Sequence, residues 1–370
     1  MLETVASITD LGARLPGSGA ERACQEMVAS RLRELDEGDV EVEGFPFLNW
    51  SPISQGLTDR SGRDFPVLQL GYSGSGRVES CLEYCGNGTK EECHGADGRI
   101  AVCTSGVGSY KFLHRMRKYR NCVNAGATGF ILVGDPGHPP PLGIIRKRKP
   151  GQIPAVSMGY QDSNELEYDI RKSGYTLSTE NRSTEEHSLN TAWTIGGKEP
   201  GLILAAHCDS WTVGAWDNAS GVAALLELAR YLSRRKLEHR VTLLFTGAEE
   251  LGLWGSRHFA QIHGDDYGFA INVDGVGYGG CSLQARCSDM ELSGIPPLRR
   301  TYSDLPLTTS GDHWSFHEAG IRTIFVTCDA GNAIQHTDED RAECLNPDKL
   351  ASSVTFIAKI TLYLDSIIKK

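Results

Sequence analysis

Residues 202–226 read LILAAHCDSWTVGAWDNASGVAALL. Two apolar runs, Leu202 to Ala206 and Val222 to Leu226, bracket a polar stretch that carries His207, Asp209 and Asp217. The first run has no polar alternation, which suits a strand covered on both faces of a parallel sheet. In the second, Val222, Leu225, Leu226, Ala229 and Leu232 fall on one helical face. The stretch therefore predicts strand, turn and helix, with an imidazole and two carboxylates in the turn. In open α/β sheets the functional crevice lies beyond the carboxyl ends of the strands, so the residue leaving a buried run is the informative one.

The same rhythm recurs. Val241 to Phe245, Phe269 to Val273 and Thr323 to Thr327 are short apolar runs, and the segment from Asn346 to Lys370 begins with a cap-like Asn-Pro and continues as an amphipathic helix. The alternation predicts an α/β architecture with a mixed, largely parallel sheet sandwiched by helices. His207 leaves the first run, Thr246 to Glu250 (TGAEE) the second and Asp274 the third, while Asp329 and the loop to His336 follow the fourth. Each residue alone has a plainer reading. Asp217, with Asn218 and Ser220, would cap the helix that starts there. A histidine at a strand end is commonly a hydrogen-bonded structural residue, and adjacent glutamates are commonly a solvated loop. Together they are different, because carboxylates crowded at one edge repel one another unless a cation neutralises them. A mixed His and carboxylate set is what zinc accepts, and a shared carboxylate can hold two ions close together.

The remainder sets the context. Lys and Arg number 37 against 47 Asp and Glu, a net charge of −10, and the only basic run is the short Arg146 to Lys149 stretch, which argues against nucleic acid as a partner. The first residues lack the basic start and apolar stretch of a signal peptide, and no run approaches a membrane span, so the expectation is a soluble, cytoplasmic protein with no membrane partner. Eleven cysteines leave at least one unpaired; Cys103, Cys208 and Cys328 sit in or beside apolar runs and read as free, buried thiols. Residues 17 to 36 predict a helix capped by Ser18. From about 45 to 190 the texture changes to Gly, Pro and short β-prone runs (Phe65 to Leu70, Arg99 to Cys103, Thr128 to Val133, Ile153 to Met158), with one helix near Lys111 to Ala125. Cys81, Cys85, Cys93 and His94 invite a metal reading there, but their spacing matches no regular zinc knuckle.

AAHCDS, WDNASGVAALLELAR, LLFTGAEELGLWGSRHFA, INVDGVG, SGDHWSFHEAGI and QHTDED occur in the order found in the di-zinc aminopeptidases, which this chain resembles over nearly all of residues 190 to 370 and again in its first helix. The resemblance implies two zinc ions per chain. His207 and Asp274 would hold one, Glu250 and His336 the other, with Asp217 bridging both. Glu249 would be the general base, and Asp209 would orient a liganding histidine through its other ring nitrogen. DGRIAVCTSG, NAGATGFILVGDPG and IPAVSMGYQDSNEL resemble the protease-associated domain, implying an insertion at 45–189 in a peptidase made of 1–44 and 190–370, with a role as lid or size filter.

The activity so implied is hydrolysis of the first peptide bond of substrates with a free N-terminus. Rival readings are a carboxypeptidase of the same family, a one-zinc glutaminyl-cyclase-like enzyme, and a non-catalytic relative that has lost ligands. All five ligands and the base are present here, which opposes the last. Trp216, Trp254, Tyr278, Trp314 and Phe316 flank the motifs as core residues or as the wall of a side-chain pocket. The sequence sets neither the preferred residue nor the oligomeric state.

Overall fold

The computed structural model describes residues 1–106, 113–168, 174–289, 307–328 and 334–368. The chain divides into two compact units: Met1–Phe47, Glu186–Gly331 and Glu339–Lys370 form one, and Leu48–Glu185 with Asn332–Asp338 form the other. The short segment Asn332–Asp338, which carries His336, is a part of the second unit that the sequence does not announce.

The boundaries fall inside two long strands, β1 (Asp39–Asp59) and the later β9 (Tyr175–Ile195). Within the second unit β1 turns into β2 (Asp64–Phe65), pairing Leu57 with Phe65, and β4 (Gly76–Ser80) pairs antiparallel with the start of β9. A five-stranded sheet follows the order β3 (Leu68–Gln69), β8 (Ala155–Met158), β7 (Gly129–Val133), β6 (Ile100–Thr104), β5 (Leu82–Tyr84). Its four C-terminal members run parallel, and β3 runs antiparallel to β8. The helix expected near Lys111 to Ala125 spans Arg115–Asn124, and Lys111 lies outside the described residues.

In the first unit the apolar runs become β10 (Lys198–His207), β11 (His239–Thr246), β12 (Tyr267–Val273) and β14 (Arg322–Thr327). All four are parallel, in the order β14, β12, β10, β11. β13 (Gln284–Cys287) closes one side antiparallel to β14, and β9 runs antiparallel to β11 on the other, so the sheet is mixed. Burial explains the absence of alternation: Leu202 to Ala206 are fully buried on both faces. Helices Gly19–Arg33, Ser220–Leu232, Trp254–His263 and Pro347–Ile367 accompany this sheet. Ser18 accepts from the Glu21 N–H and Asn346 from those of Asp348 and Lys349, as N-caps do.

Pro347–Ile367 is long and apolar enough, by length and composition, to cross a membrane, a match the apolar-run reading did not register. Leu350, Phe356, Ile357, Ile360 and Leu364 of this helix are buried in the unit. Cys328 departs from expectation: it is disulfide-bonded to Cys281, whereas Cys103 and Cys208 are free and buried.

Candidate metal centre

Parallel strands set the site. In register, His207 of β10 stands opposite Thr246 of β11, and Ala205 opposite Asn272 of β12, so the exits of three strands emerge at one edge. His207 Nε2 lies 3.0 Å from Asp217 Oδ1 and 3.4 Å from Asp274 Oδ1. One donor atom from each of these three residues falls within 4.8 Å of the others, and the same holds for His207, Glu249 and Glu250. His207 is enclosed, Asp217 and Glu250 are buried, and Glu249 and Asp274 are half-buried.

The main chain prepares each donor. His207 Nδ1 lies 3.0 Å from the main-chain oxygen of Asp209, so its N–H donates there and Nε2 is left facing the carboxylates. The Asp209 side chain is farther, 3.7 Å from Nδ1. Its two oxygens instead accept the N–H groups of Glu249 (3.1 Å) and Glu250 (2.9 Å). Asp209 thus meets the imidazole at the expected ring nitrogen, through its carbonyl at 3.0 Å and its carboxylate at 3.7 Å, and the carboxylate also holds the glutamate turn.

The helix after Asp217 has Ala219 at its N-cap. Asn218, one residue before that cap, has its Oδ1 accepting from Gly221 N at 3.0 Å and Gly275 N at 3.2 Å, while its Nδ2 donates to Val273 O. This stitches the turn after β10 to the end of β12. A Cβ on Gly221 would lie 2.3 Å from Asn218 Oδ1, and one on Gly275, at φ +68°, would lie 2.3 Å from Trp216, so both positions need glycine.

Electrostatically the cluster is overloaded with negative charge. Burial raises the Glu249 carboxyl well above the carboxylate range, the neighbouring Glu250, Asp312 and Asp274 raise it further, and only His207 opposes them. Burial alone would lower the His207 imidazole. Asp274 and Glu249 outweigh that, aided by Asp209 and Asp217, and raise it well above its ordinary value. Among protein groups alone, the site recruits a proton onto His207 as its counter-charge. A divalent cation satisfies the same demand more fully, and a neutral imidazole with several carboxylates is a donor set that zinc accepts, so these residues fit the metal.

Residues 190–361 match peptidase family M28, and residues 68–166 match the PA domain. The chain is 27% identical to aminopeptidase YwaD of Bacillus subtilis over 94% of its own length and 80% of that protein's. In structure it is similar to BSAP, a zinc aminopeptidase from Bacillus subtilis (TM-score 0.76, 24% identity, 100% of this chain and 94% of that one). It is also similar to a peptidase M28 precursor from Shewanella amazonensis (TM-score 0.78, 20% identity, 100% and 93%).

Several residues that serve this site were not singled out in the sequence. Arg14 is fully buried and donates to the main-chain oxygens of Cys208 (2.7 Å), Val213 (2.6 Å) and Gly214 (3.0 Å), pinning the loop between His207 and Asp217. Glu21 accepts from Gly17 N at 2.7 Å and Ala248 N at 2.9 Å, fixing the turn just before Glu249. Asp340 accepts from Trp216 N (2.6 Å) and Asp217 N (3.0 Å). Asp312 is buried and accepts from the Thr246 hydroxyl. Asp312 and Asp340 lie in the motifs SGDHWSFHEAGI and QHTDED, and Arg14 and Glu21 in the stretch 11–35 that resembles the family's first helix; the roles of Arg14 and Glu21 fall on main chain far away in sequence, which leaves no local signal of what they do.

His336 belongs to the second unit's segment, at φ +60°, with Nδ1 3.2 Å from Leu142 O. Asp329 lies outside the described residues. Trp216 and Phe316 are core residues, whereas Trp254, Tyr278 and Trp314 are partly exposed. Cys85 and Cys93 do converge with other donors, but those are Cys103 and Cys122, not Cys81 and His94.

Proposed function

We propose that this M28 peptidase is a zinc-dependent aminopeptidase that binds two zinc ions and releases single residues from peptides with a free N-terminus. The observation that carries it is the convergence of His207, Asp217 and Asp274 on one point and of Glu249 and Glu250 beside them, in a pocket whose own groups leave the negative charge unbalanced. His207 and Asp274 would hold one ion, Asp217 would be shared, and Glu250 with His336 would hold the other. The aminopeptidase names of the relatives support the choice of chain end over the carboxypeptidase reading.

When bound, zinc lowers the pKa of a coordinated water and polarises the scissile carbonyl. The protein supplies the rest. Glu249, half-buried beside the ligands, accepts the proton of the attacking water and returns it to the departing amine. Asp209 fixes the Glu249 and Glu250 amides together, so the base and its neighbouring ligand keep a constant separation.

The test is one assay with paired substrates on one sample. Aminoacyl anilides should be cleaved, their N-acetylated counterparts and C-terminal reporter peptides should not, and metal analysis should give two zinc ions at the M28 centre. Cleavage of the blocked substrates, or full activity after exhaustive chelation, would overturn the reading.

A further inference from the structure

The second unit holds four cysteines that the M28 chemistry does not use. Cys85 follows β5, Cys93 precedes a short turn of 3-10 helix at His94–Ala96, Cys103 lies in β6, and Cys122 lies on the helix Arg115–Asn124. All four side chains are fully buried and unbonded. The Sγ of Cys122 is 3.4 Å from that of Cys93 and 3.6 Å from that of Cys103. The sulfurs of Cys85, Cys93 and Cys122 all lie within 4.8 Å of one another. Cys103 joins this group through Cys122. The four sulfurs thus form one connected cluster.

A disulfide makes pairs, with one partner per sulfur at about 2.05 Å. Here one sulfur, that of Cys122, has two partners at nearly equal distance, and Cys85 lies within 4.8 Å of both it and Cys93. Around a zinc ion with Zn–S bonds of about 2.3 Å, tetrahedral geometry places neighbouring sulfurs about 3.8 Å apart, close to the observed spacing. Small apolar side chains would also fill such a core, but filling space does not require four sulfurs from four separate elements to meet at one point.

We propose that Cys85, Cys93, Cys103 and Cys122 form a structural tetrathiolate site for a single zinc ion. Binding releases the four thiol protons to solvent and leaves a complex of charge −2. The surroundings suit that charge. Lys118, one helical turn before Cys122, is buried, with its ammonium donating to Asn87 Oδ1 at 2.7 Å, Thr104 O at 2.6 Å and Ser105 O at 3.0 Å. Gly88 packs its backbone over the cluster: a Cβ there would lie 3.0 Å from Cys103 Sγ, and its carbonyl accepts from Asn121 Nδ2 at 2.9 Å. The loop between Cys85 and Cys93 is therefore tied to the helix that supplies Cys122. The site would clamp the loop, β6 and the helix together, beside a five-stranded sheet whose strands β5 to β8 are parallel.

The full chain, reduced and freed of metal, is refolded with cobalt. Sulfur-to-cobalt charge-transfer absorption is the readout, because the nitrogen and oxygen ligands of the M28 centre produce none. The band should appear in the wild type and persist in His207→Ala, and should collapse in Cys122→Ser. On the native zinc protein, a thiol reagent should release one zinc as four protected thiols react, in His207→Ala as in the wild type. A folded wild-type chain that lacks the band overturns the proposal, as does reaction of these thiols without zinc release or mass-spectrometric detection of disulfides among them. If Cys122→Ser does not fold, the wild-type spectrum and the zinc release decide.

Discussion

Asp209 Oδ2 accepts the main-chain N–H of Glu250 at 2.9 Å, and Oδ1 of the same carboxylate accepts that of Glu249. One side chain therefore holds both glutamates of the site, although neither glutamate side chain is its partner. Asp209→Asn would turn an NH2 group toward one of the two amides, so one bond is lost and two donors face each other. Outer residues of this kind are worth roughly 10–100-fold in metal affinity or activity. We expect kcat and zinc affinity both to fall, with the His207 carbonyl contact intact. Unchanged values for both would show that this carboxylate is dispensable.

Glu249 and Glu250 should fail differently. Glu249→Gln preserves size but cannot take up a proton; it should keep its full zinc content and lose at least about 10²–10⁴-fold in kcat. Glu250→Gln replaces an anionic ligand by an amide, should lose zinc, and should recover partly in excess zinc. If Glu249→Gln loses metal, or remains active when loaded, the base lies elsewhere.

The pH profile offers a check on charge. Asp312, buried and pushed up to about 6 chiefly by that burial, is one of the groups that raise Glu249. A base acts only when deprotonated, so activity rises with pH through its pKa. Asp312→Asn removes a negative neighbour, lowers the Glu249 pKa and should move the acidic limb of kcat/KM to lower pH. A limb displaced upward would contradict the assignment.

Glu21 links pH to stability. Burial first, then the nearby Asp209 carboxylate, raise it from 4.5 to about 8. The folded-state pKa exceeds the unfolded value, so the folded state binds the proton more tightly. That stability is fully present below about pH 4.5 and is lost as pH rises through about 8. In chelator-treated protein, Glu21→Gln should be less stable than wild type near pH 5, because one backbone bond is lost, and the gap should narrow toward pH 8. Denaturant midpoints that differ by a constant amount across that range would refute the coupling.

The legible parts of the fold were those written in apolar side chains. β10, β11, β12 and β14 are buried on both faces, so Leu202 to Ala206 and its counterparts stood out, and with them the polar residues at their exits. β1 and β9 did not, because their side chains are largely polar or exposed; β1 is also broken by Gly44, Pro46, Pro52 and Gly56. Asp217 was legible as functional but not distinguishable from a cap, since the Asn218 beside it does accept the Gly221 N–H in the first turn of the helix. Arg14 and Glu21 were illegible because their acceptors and donors are backbone groups, which carry no sequence. The cysteine cluster was half visible: Cys85 and Cys93 are near neighbours in sequence, but Cys103 and Cys122 are brought in only by the parallel pairing of β5 with β6 and the helix that follows.

The grip of Arg14 on the loop after His207 also orders events in the life of the chain. Arg14 and its acceptor at Cys208 are 194 residues apart. At a synthesis rate of roughly 5–20 residues per second, Arg14 leaves the ribosome on the order of 10–40 s before that acceptor exists. In the interval the whole of Leu48–Glu185 emerges, with its own sheet and core, and is free to fold while the N-terminal segment waits. Until then the guanidinium has the Gly12 oxygen but none of its acceptors in the loop after His207. Assembly of the peptidase unit thereby follows the emergence of Leu48–Glu185, and a nascent chain stalled before residue 208 would still lack Asn332–Asp338 of the second unit as well as most of the first.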